Sequence, residues 1–335
     1  MEKVKENDKR STRFELGQAL RNQSNNSHQA PSPPSPPSQP CEPRSNVLAE
    51  GSPRKKPRGK IIRGSPKAFT LAKISELGHN ASSEPHVWDE SPWSTYRVSY
   101  ECDLAGPEYV CVRRSGSRAV RAIHQYPSEV ADKILQILRD TRHENVVSAL
   151  GCFRTPQALY TLGIFYPLTL GHVVACKAFP DQQQLAAIMT QVLNGFSYLI
   201  DHDLQHNSLD CSAILMNMEG EIQIARLDHF SARPPGKVQP KELFSIASVM
   251  MELMQKYVKG GGAVGVDNIE RWPTDSAAVD FLSATTSASS MEGLKKHRLL
   301  TETNWSRHDL VGLAYFALIS ARTFYSYKPW SDGYE

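Results

Sequence analysis

From about Trp88 onward the chain sets its apolar residues in two alternating rhythms. Residues Tyr96–Cys102, Tyr109–Arg113 and Arg118–His124 alternate apolar with polar side chains, which predicts three antiparallel strands. Ser128–Asp140 shifts to helical spacing through Val130, Ile134, Leu135, Ile137 and Leu138, with Ser128 placed as its N-cap. Val146–Phe153 and Ala158–Tyr166 return to the strand pattern and lead through Pro167 and Leu168 into a short helix near His172 to Lys177. The strongest helical signal is Asp181–Leu199, where Leu185, Ile188, Met189, Val192, Leu193, Phe196 and Leu199 share a face. Further helices are expected over Phe244–Tyr257, stopped by the glycines after Lys259, and over Ala277–Thr286 and Met291–Leu300. A closing segment, Trp305–Pro329, carries Leu310, Leu313, Phe316, Ile319 and Phe324, to be packed as an extra helix or offered to a partner.

Residues 1 to about 85 lack these rhythms. The run Pro31–Pro40 admits neither helix nor sheet interior, and its polar surroundings offer too little apolar surface to offset ordering entropy, so a disordered tail is expected. Pro31–Pro43 has the composition of a left-handed extended ligand for an SH3 or WW partner, and equally of a spacer. Arg54, Lys55, Lys56, Arg58 and Lys60 form a basic run that reads as a nuclear-import signal, a nucleic-acid patch or a solubilising linker. Ser52 and Ser65, each followed by Pro and a basic residue nearby, are candidate phosphorylation sites; phosphate would add about two negative charges beside the run and mask it.

The whole chain of 335 residues is 40% apolar and 22% charged, enough for one sizeable core plus the tail. A net charge of +3 implies no strong affinity for nucleic acid beyond a weak contribution from the basic tail. No stretch has the length or apolarity of a membrane span, and the first ten residues lack the apolar segment of a secretory signal. An intracellular protein is expected, nuclear or nucleocytoplasmic if the basic run serves import. Six cysteines occur without any CxxC pair, which leaves a zinc site or disulfide framework without support.

The candidate chemistry centres on His202–Asp228. His206-Asn207-Ser208-Leu209-Asp210-Cys211-Ser212-Ala213, followed by Arg226-Leu227-Asp228, resembles the catalytic loop and metal-binding tripeptide of the eukaryotic-type protein kinases. That family's patterns are H-R-D-L-x-x-x-N and D-F-G. The resemblance extends from about Trp88 to Leu300 and implies an α+β, bilobal fold: a β-rich small lobe over about 90–166 and a mostly helical large lobe over about 167–300, with 301–335 as a helical extension.

Within that frame the working residues are replaced. Ser208 stands where the base Asp belongs, and a hydroxyl there cannot hold the proton. Ala213 removes one Mg²⁺ ligand, and Arg226 puts a permanent cation at another, against which a divalent ion is repelled by several kcal/mol at an effective dielectric of about 20. The Gly-rich lid of the family corresponds to Asp103-Leu104-Ala105-Gly106-Pro107-Glu108, with one Gly, one missing N–H donor and two carboxylates that would repel phosphate. Val120-Arg121-Ala122-Ile123-His124 matches V-A-I-K, so His124 replaces the phosphate-pairing Lys. Counting back from Arg142-His143-Glu144-Asn145-Val146, that Lys's partner Glu falls near Ile134; Glu129 reads as a first-turn helix acid. Asp210 and Asp228 each lie two residues from a lost carboxylate, and an extended chain would carry them about 6–7 Å away. The segment after Asp228 is about half the family's length and lacks A-P-E, together with the Arg that normally pairs with its Glu.

The resemblance therefore implies a catalytically inactive pseudokinase acting as a binding or regulatory scaffold for protein partners, without cofactor. The alternative is a divergent Ser/Thr kinase with residual ATP binding, the nucleotide held without Mg²⁺ in a cleft formed by Gly106, His124, Asp210, Arg226 and Asp228. A small-molecule phosphotransferase on the same fold is a third reading. Leu138, His206 and Leu227 are expected to stack as a hydrophobic spine, a folding role.

Overall fold

The computed structural model describes residues 85–236 and 238–324. The Pro-rich run, the basic run, Ser52, Ser65 and the last eleven residues, 325–335, lie outside the described residues.

Strands come first. β1 (Val87–Trp88), β2 (Tyr96–Asp103), β3 (Pro107–Arg113), β4 (Val120–Pro127), β5 (Gly151–Arg154) and β6 (Ala158–Ile164) form one sheet in the order β1-β5-β6-β4-β3-β2. All pairings are antiparallel except β1 with β5. Val98, Cys111, Ile123, Phe153 and Leu162 are buried together on one side, the clustering that the period-two pattern demands. Between β4 and β5 runs α1 (Ala131–Asp140), which buries Ile134, Leu135, Ile137 and Leu138.

Ser128 is not the N-cap of α1. Ser128–Val130 form a separate 3₁₀ turn, Val130 occupies the cap position without a side-chain bond, and Asp132 supplies the acidic charge of the first turn. Pro127, whose fixed φ holds the chain extended just before, sets the 3₁₀ turn ahead of the helix proper.

Tyr166 and Pro167 carry the chain into the helical region. β7 (Leu168–Thr169), α2 (Leu170–Ala175) and α3 (Gln182–Asp201) follow, then β8 (Leu204–His206), β9 (Ile214–Met216), β10 (Ile222–Ile224) and β11 (Phe230–Ala232). β10, β9 and β7 make a small sheet, and β11 pairs with β8. The seven apolar residues predicted to share a face of α3 are all buried. Its start is fixed by a capping box in which Asp181 accepts from the Gln184 amide at 2.8 Å and Gln184 accepts from the Asp181 amide at 3.1 Å.

Gly195 on α3 lets the linking segment before β5 lie directly on the helix: a Cβ there would sit 2.5 Å from the Asn145 carbonyl oxygen. Asn145 in turn donates to the Ile222 carbonyl at 3.0 Å, while its own carbonyl accepts from the Ile224 amide. The Arg142–Val146 motif is thus a brace between the two lobes.

α4 (Pro240–Gln255), α5 (Ala277–Ala284), α6 (Met291–Lys295), α7 (Arg298–Thr301) and α8 (Val311–Phe324) complete the helical lobe. α4 starts earlier and stops earlier than its apolar pattern predicts. Gln239 and Glu242 form a capping box with Pro240 at the first helical position, and Lys256 ends the helix in the left-handed conformation, well before the glycines. Lys256 holds that shape because its ammonium donates to the Val173 and Ala178 carbonyls at 2.9 and 2.7 Å and lies over the Phe179 ring. The predicted helix over Met291–Leu300 is broken into α6 and α7, with His297 accepting from the Leu299 amide to cap the second. α8 packs on α2, with Leu313, Ala314 and Ala317 buried and Tyr315, Phe316 and Ile319 exposed. The architecture is the bilobal α+β one of a protein-kinase-like fold.

Candidate functional site

Two of the replaced positions, His124 and Arg226, lie together where the sheet faces the helical lobe, and the turn between β2 and β3 packs beside them. Asp103 accepts from the Gly106 amide at 3.1 Å, and the Leu104 amide donates to the Gly106 carbonyl at 3.0 Å, curling the turn on itself. Ala105 and Gly106 both take positive φ, +52° and +105°. The curl drives Leu104 and Ala105 inward. They are buried in one apolar cluster with Tyr166 of the interlobe linker, Leu215 of β9 and Ala225 just after β10. Burying a leucine side chain in this way stabilises the closed arrangement by about 1.5–3 kcal/mol. The turn thus packs into the cleft where the family's lid would lie over phosphates.

Behind the turn stands His124, on β4. Register explains its partner: Tyr109 pairs with Ile123, so one step further the same antiparallel ladder sets Glu108 opposite His124. His124 Nε2 and Glu108 Oε2 are 3.3 Å apart. Burial pushes the Glu108 carboxyl up to about 8, with Asp103 adding to the rise and the Cys102 thiol, 3.5 Å from Oε1, opposing it. Burial likewise lowers His124 to about 4, partly countered by Asp228 and reinforced by Arg226. At neutral pH the pair is a carboxylic acid beside a neutral imidazole, not an ion pair. Glu108 is therefore not the phosphate-repelling carboxylate expected from sequence, because the strand turns it inward, leaving it 3% exposed.

The third group lies at the tripeptide. Arg226 adopts a left-handed backbone (φ 62°, ψ 62°), and Leu227–His229 form a 3₁₀ turn. That geometry folds Asp228 back, so the extended-chain separation expected for these residues does not apply. The Arg226 guanidinium donates from Nε to Asp228 Oδ1 at 3.1 Å and from Nη2 to Oδ2 at 2.9 Å, a bidentate pair. The same Nη2 reaches His229 Nε2 at 2.7 Å, which assigns the proton of that ring to Nδ1, a buried nitrogen without a partner. Burial raises the Asp228 carboxyl, but the Arg226 guanidinium outweighs it and holds it below the ordinary range. The aliphatic part of Arg226 runs beneath the turn: a Cβ on Gly106 would lie 3.3 Å from Arg226 Cδ. Glycine here is what lets the turn and the guanidinium approach.

The remaining sequence-predicted positions fall around this centre without joining it. Ile134 is fully buried in α1. Ser208 is exposed, its amide donating to His206 Nδ1 at 3.3 Å, and Ala213 is buried. Asp210 caps the 3₁₀ turn Cys211–Ala213, accepting from the Ser212 and Ala213 amides at 2.9 and 3.1 Å. Leu138, His206 and Leu227 are all buried, with His206 Nε2 on the Ala225 carbonyl at 3.0 Å. Burial lowers the His206 imidazole to about 4.

Sequence reasoning missed a buried charge pair. Arg233, in the shortened segment, donates to both carboxylate oxygens of Glu242 at 2.7 and 3.1 Å. Glu242 also accepts from the Gln239 amide at 2.7 Å. The pair ties the segment to the start of α4. A buried Arg–Glu brace is therefore present, drawn from residues that the family motif does not mark.

Mg·ATP as the resemblance implies it does not fit these residues. No ammonium stands at position 124, the carboxyl nearest to it is protonated at neutral pH, and a guanidinium clamped to Asp228 occupies the tripeptide. Among the described residues no group of three or more His, Cys, Asp or Glu side chains could hold a metal ion, and no helix is long and apolar enough to cross a membrane. A separate depression of about 560 Å³ lies away from the cleft, lined by residues including Phe179, Tyr257, Ile269 and Arg271.

No protein-family model matches the chain. It is 30% identical over 172 residues to mitogen-activated protein kinase kinase kinase 1a of Physcomitrium patens, a match covering 46% of the chain and 22% of that relative. It is also 30% identical over 119 residues to kinase kinase kinase 1b of the same organism, covering 35% and 14%. A third match, 30% over 102 residues, is to the mitogen-activated protein kinase kinase kinase MST11 of Pyricularia oryzae, covering 29% and 11%. The chain thus spans less than a quarter of the length of these relatives. Fold and similarity agree on a protein-kinase-like domain.

Proposed function

We propose that this chain is a pseudokinase: a kinase-like domain that transfers no phosphate and works by binding and regulating protein partners. The observation that carries the reading is the Arg226–Asp228 clamp. A base, two metal ligands and a phosphate-pairing ammonium are what the transfer reaction needs. In their places stand Ser208, Ala213, Arg226 and His124. Asp228, the carboxylate nearest the metal position, is already neutralised by a guanidinium that a divalent cation would have to displace. ATP held without Mg²⁺ would need Arg226 to leave Asp228 for phosphate, exchanging one bidentate anion for another.

The tail belongs to the same proposal. The basic run Arg54–Lys60 would direct the protein to the nucleus, phosphate on Ser52 or Ser65 would mask it, and Pro31–Pro43 would engage an SH3- or WW-type partner. The test of the central reading is transfer of radiolabel from Mg·[γ-³²P]ATP by the full chain, to itself and to a general basic protein substrate. The expected rate equals that of an Asp228→Ala variant. Turnover that this substitution abolishes would instead establish the divergent-kinase reading.

A further inference from the structure

We propose that the turn between β2 and β3 is a built-in occupant of the cleft, with Leu104 and Ala105 filling the space that a planar heterocycle would otherwise take. The inference rests on the pseudokinase reading and adds to it a physical reason why the cleft excludes nucleotide bases.

Three observations converge. The first is the composition of the cluster: Leu104 and Ala105 of the turn are buried together with Tyr166 from the interlobe linker, Leu215 from β9 and Ala225 after β10, and Cys102, Val147 and Phe165 pack against them. An apolar slot between two lobes is the kind of space that takes a flat ring, and here the chain supplies its own apolar filling. The second is the backbone. Ala105 accepts a left-handed conformation that side chains other than glycine's adopt at a cost, and the Asp103–Gly106 and Leu104–Gly106 hydrogen bonds hold it there. The third is the floor: Gly106 lies against the Arg226 side chain, which Asp228 fixes from the far side. The turn is seated on a clamped residue and so has a defined resting place.

The consequence is that Leu104 and a base compete for one space. Shortening Leu104 should vacate it without touching His124, Glu108, Arg226 or Asp228. The test uses the full chain, with adenosine as the probe so that phosphate and metal play no part. In the wild type, hydrogen exchange at the Leu104 and Gly106 amides should be slowed at least about tenfold relative to an unstructured turn, and adenosine should leave the unfolding midpoint unchanged. In Leu104→Gly, exchange at the Gly106 amide should quicken by at least about tenfold, and adenosine at about 100 times its dissociation constant should raise the midpoint by about 5–10 °C. Free exchange of the turn amides in the wild type would overturn the proposal, whether or not the variant folds. The same adenosine response in folded wild type and variant, present in both or absent from both, would overturn it too. Failure of the pseudokinase reading has a different signature, label transfer from Mg·ATP, which neither measurement detects.

Discussion

Glu108 and His124 make the cleft sensitive to pH, and the two act in opposite directions. Glu108 binds its proton more tightly folded than unfolded, so it contributes stability at low pH that is lost as pH rises from its ordinary 4.5 through about 8. His124 is held neutral by burial, so its contribution is lost as pH falls from about 6.5 through about 4. Comparing wild type with Glu108→Gln isolates the first effect, since other groups titrate alike in both. Urea unfolding should show the wild type losing on the order of 4 kcal/mol relative to the variant between pH 4.5 and 8, with little further change above. A difference that stays constant across that range would mean Glu108 is not buried as an acid.

This pair also marks where sequence reading stopped. Alternation predicts the strand carrying His124 but assigns Glu108 to the turn before Tyr109, whereas β3 begins at Pro107 and its register puts Glu108 opposite His124. Arg226 and Asp228 were each singled out. Their contact was not, because spacing was judged for an extended chain and the left-handed residue with its 3₁₀ turn is set by the surrounding fold. Leu104 and Ala105 read as ordinary turn residues; only the long-range contact with Tyr166, Leu215 and Ala225 identifies them as core.

At the scale of elements, long periodic segments were the legible ones. α3 follows its apolar pattern and its Asp181 cap, whereas the start of α1 and both ends of α4 depart from periodicity, the first because Pro127 holds the chain extended and the others because of hydrogen bonds at Gln239 and Lys256. The Arg233–Glu242 brace gives a direct test of how the shortened segment is held. Arg233→Ala should cost about 3–5 kcal/mol, since it strands a buried carboxylate, while Arg233→Met with Glu242→Leu should recover most of that loss. Equal losses in single and double variants would show that packing, not the stranded charge, sets the cost. The contact of α3 with the interlobe brace is tested by Gly195→Ala. Its Cβ would meet the Asn145 carbonyl oxygen, and a loss of about 1–3 kcal/mol in unfolding free energy is expected. A neutral result would mean that the brace can move off the helix.

For the molecule as a whole, the frame of a kinase-like domain is kept by its core while the cleft has been rebuilt around neutral and self-paired groups. The interlobe brace at Asn145 and the buried Leu138, His206 and Leu227 depend on packing and survive. Among the described residues the buried Arg233 and Glu242 pair with each other, while burial favours the neutral forms of Glu108 and His124. The claim at the centre is that this cleft does not take Mg·ATP, and the most direct test is the unfolding midpoint of the full chain with and without millimolar Mg·ATP. No change is expected. A rise of about 2–4 °C that requires Mg²⁺, the size expected for a site near saturation, would contradict it.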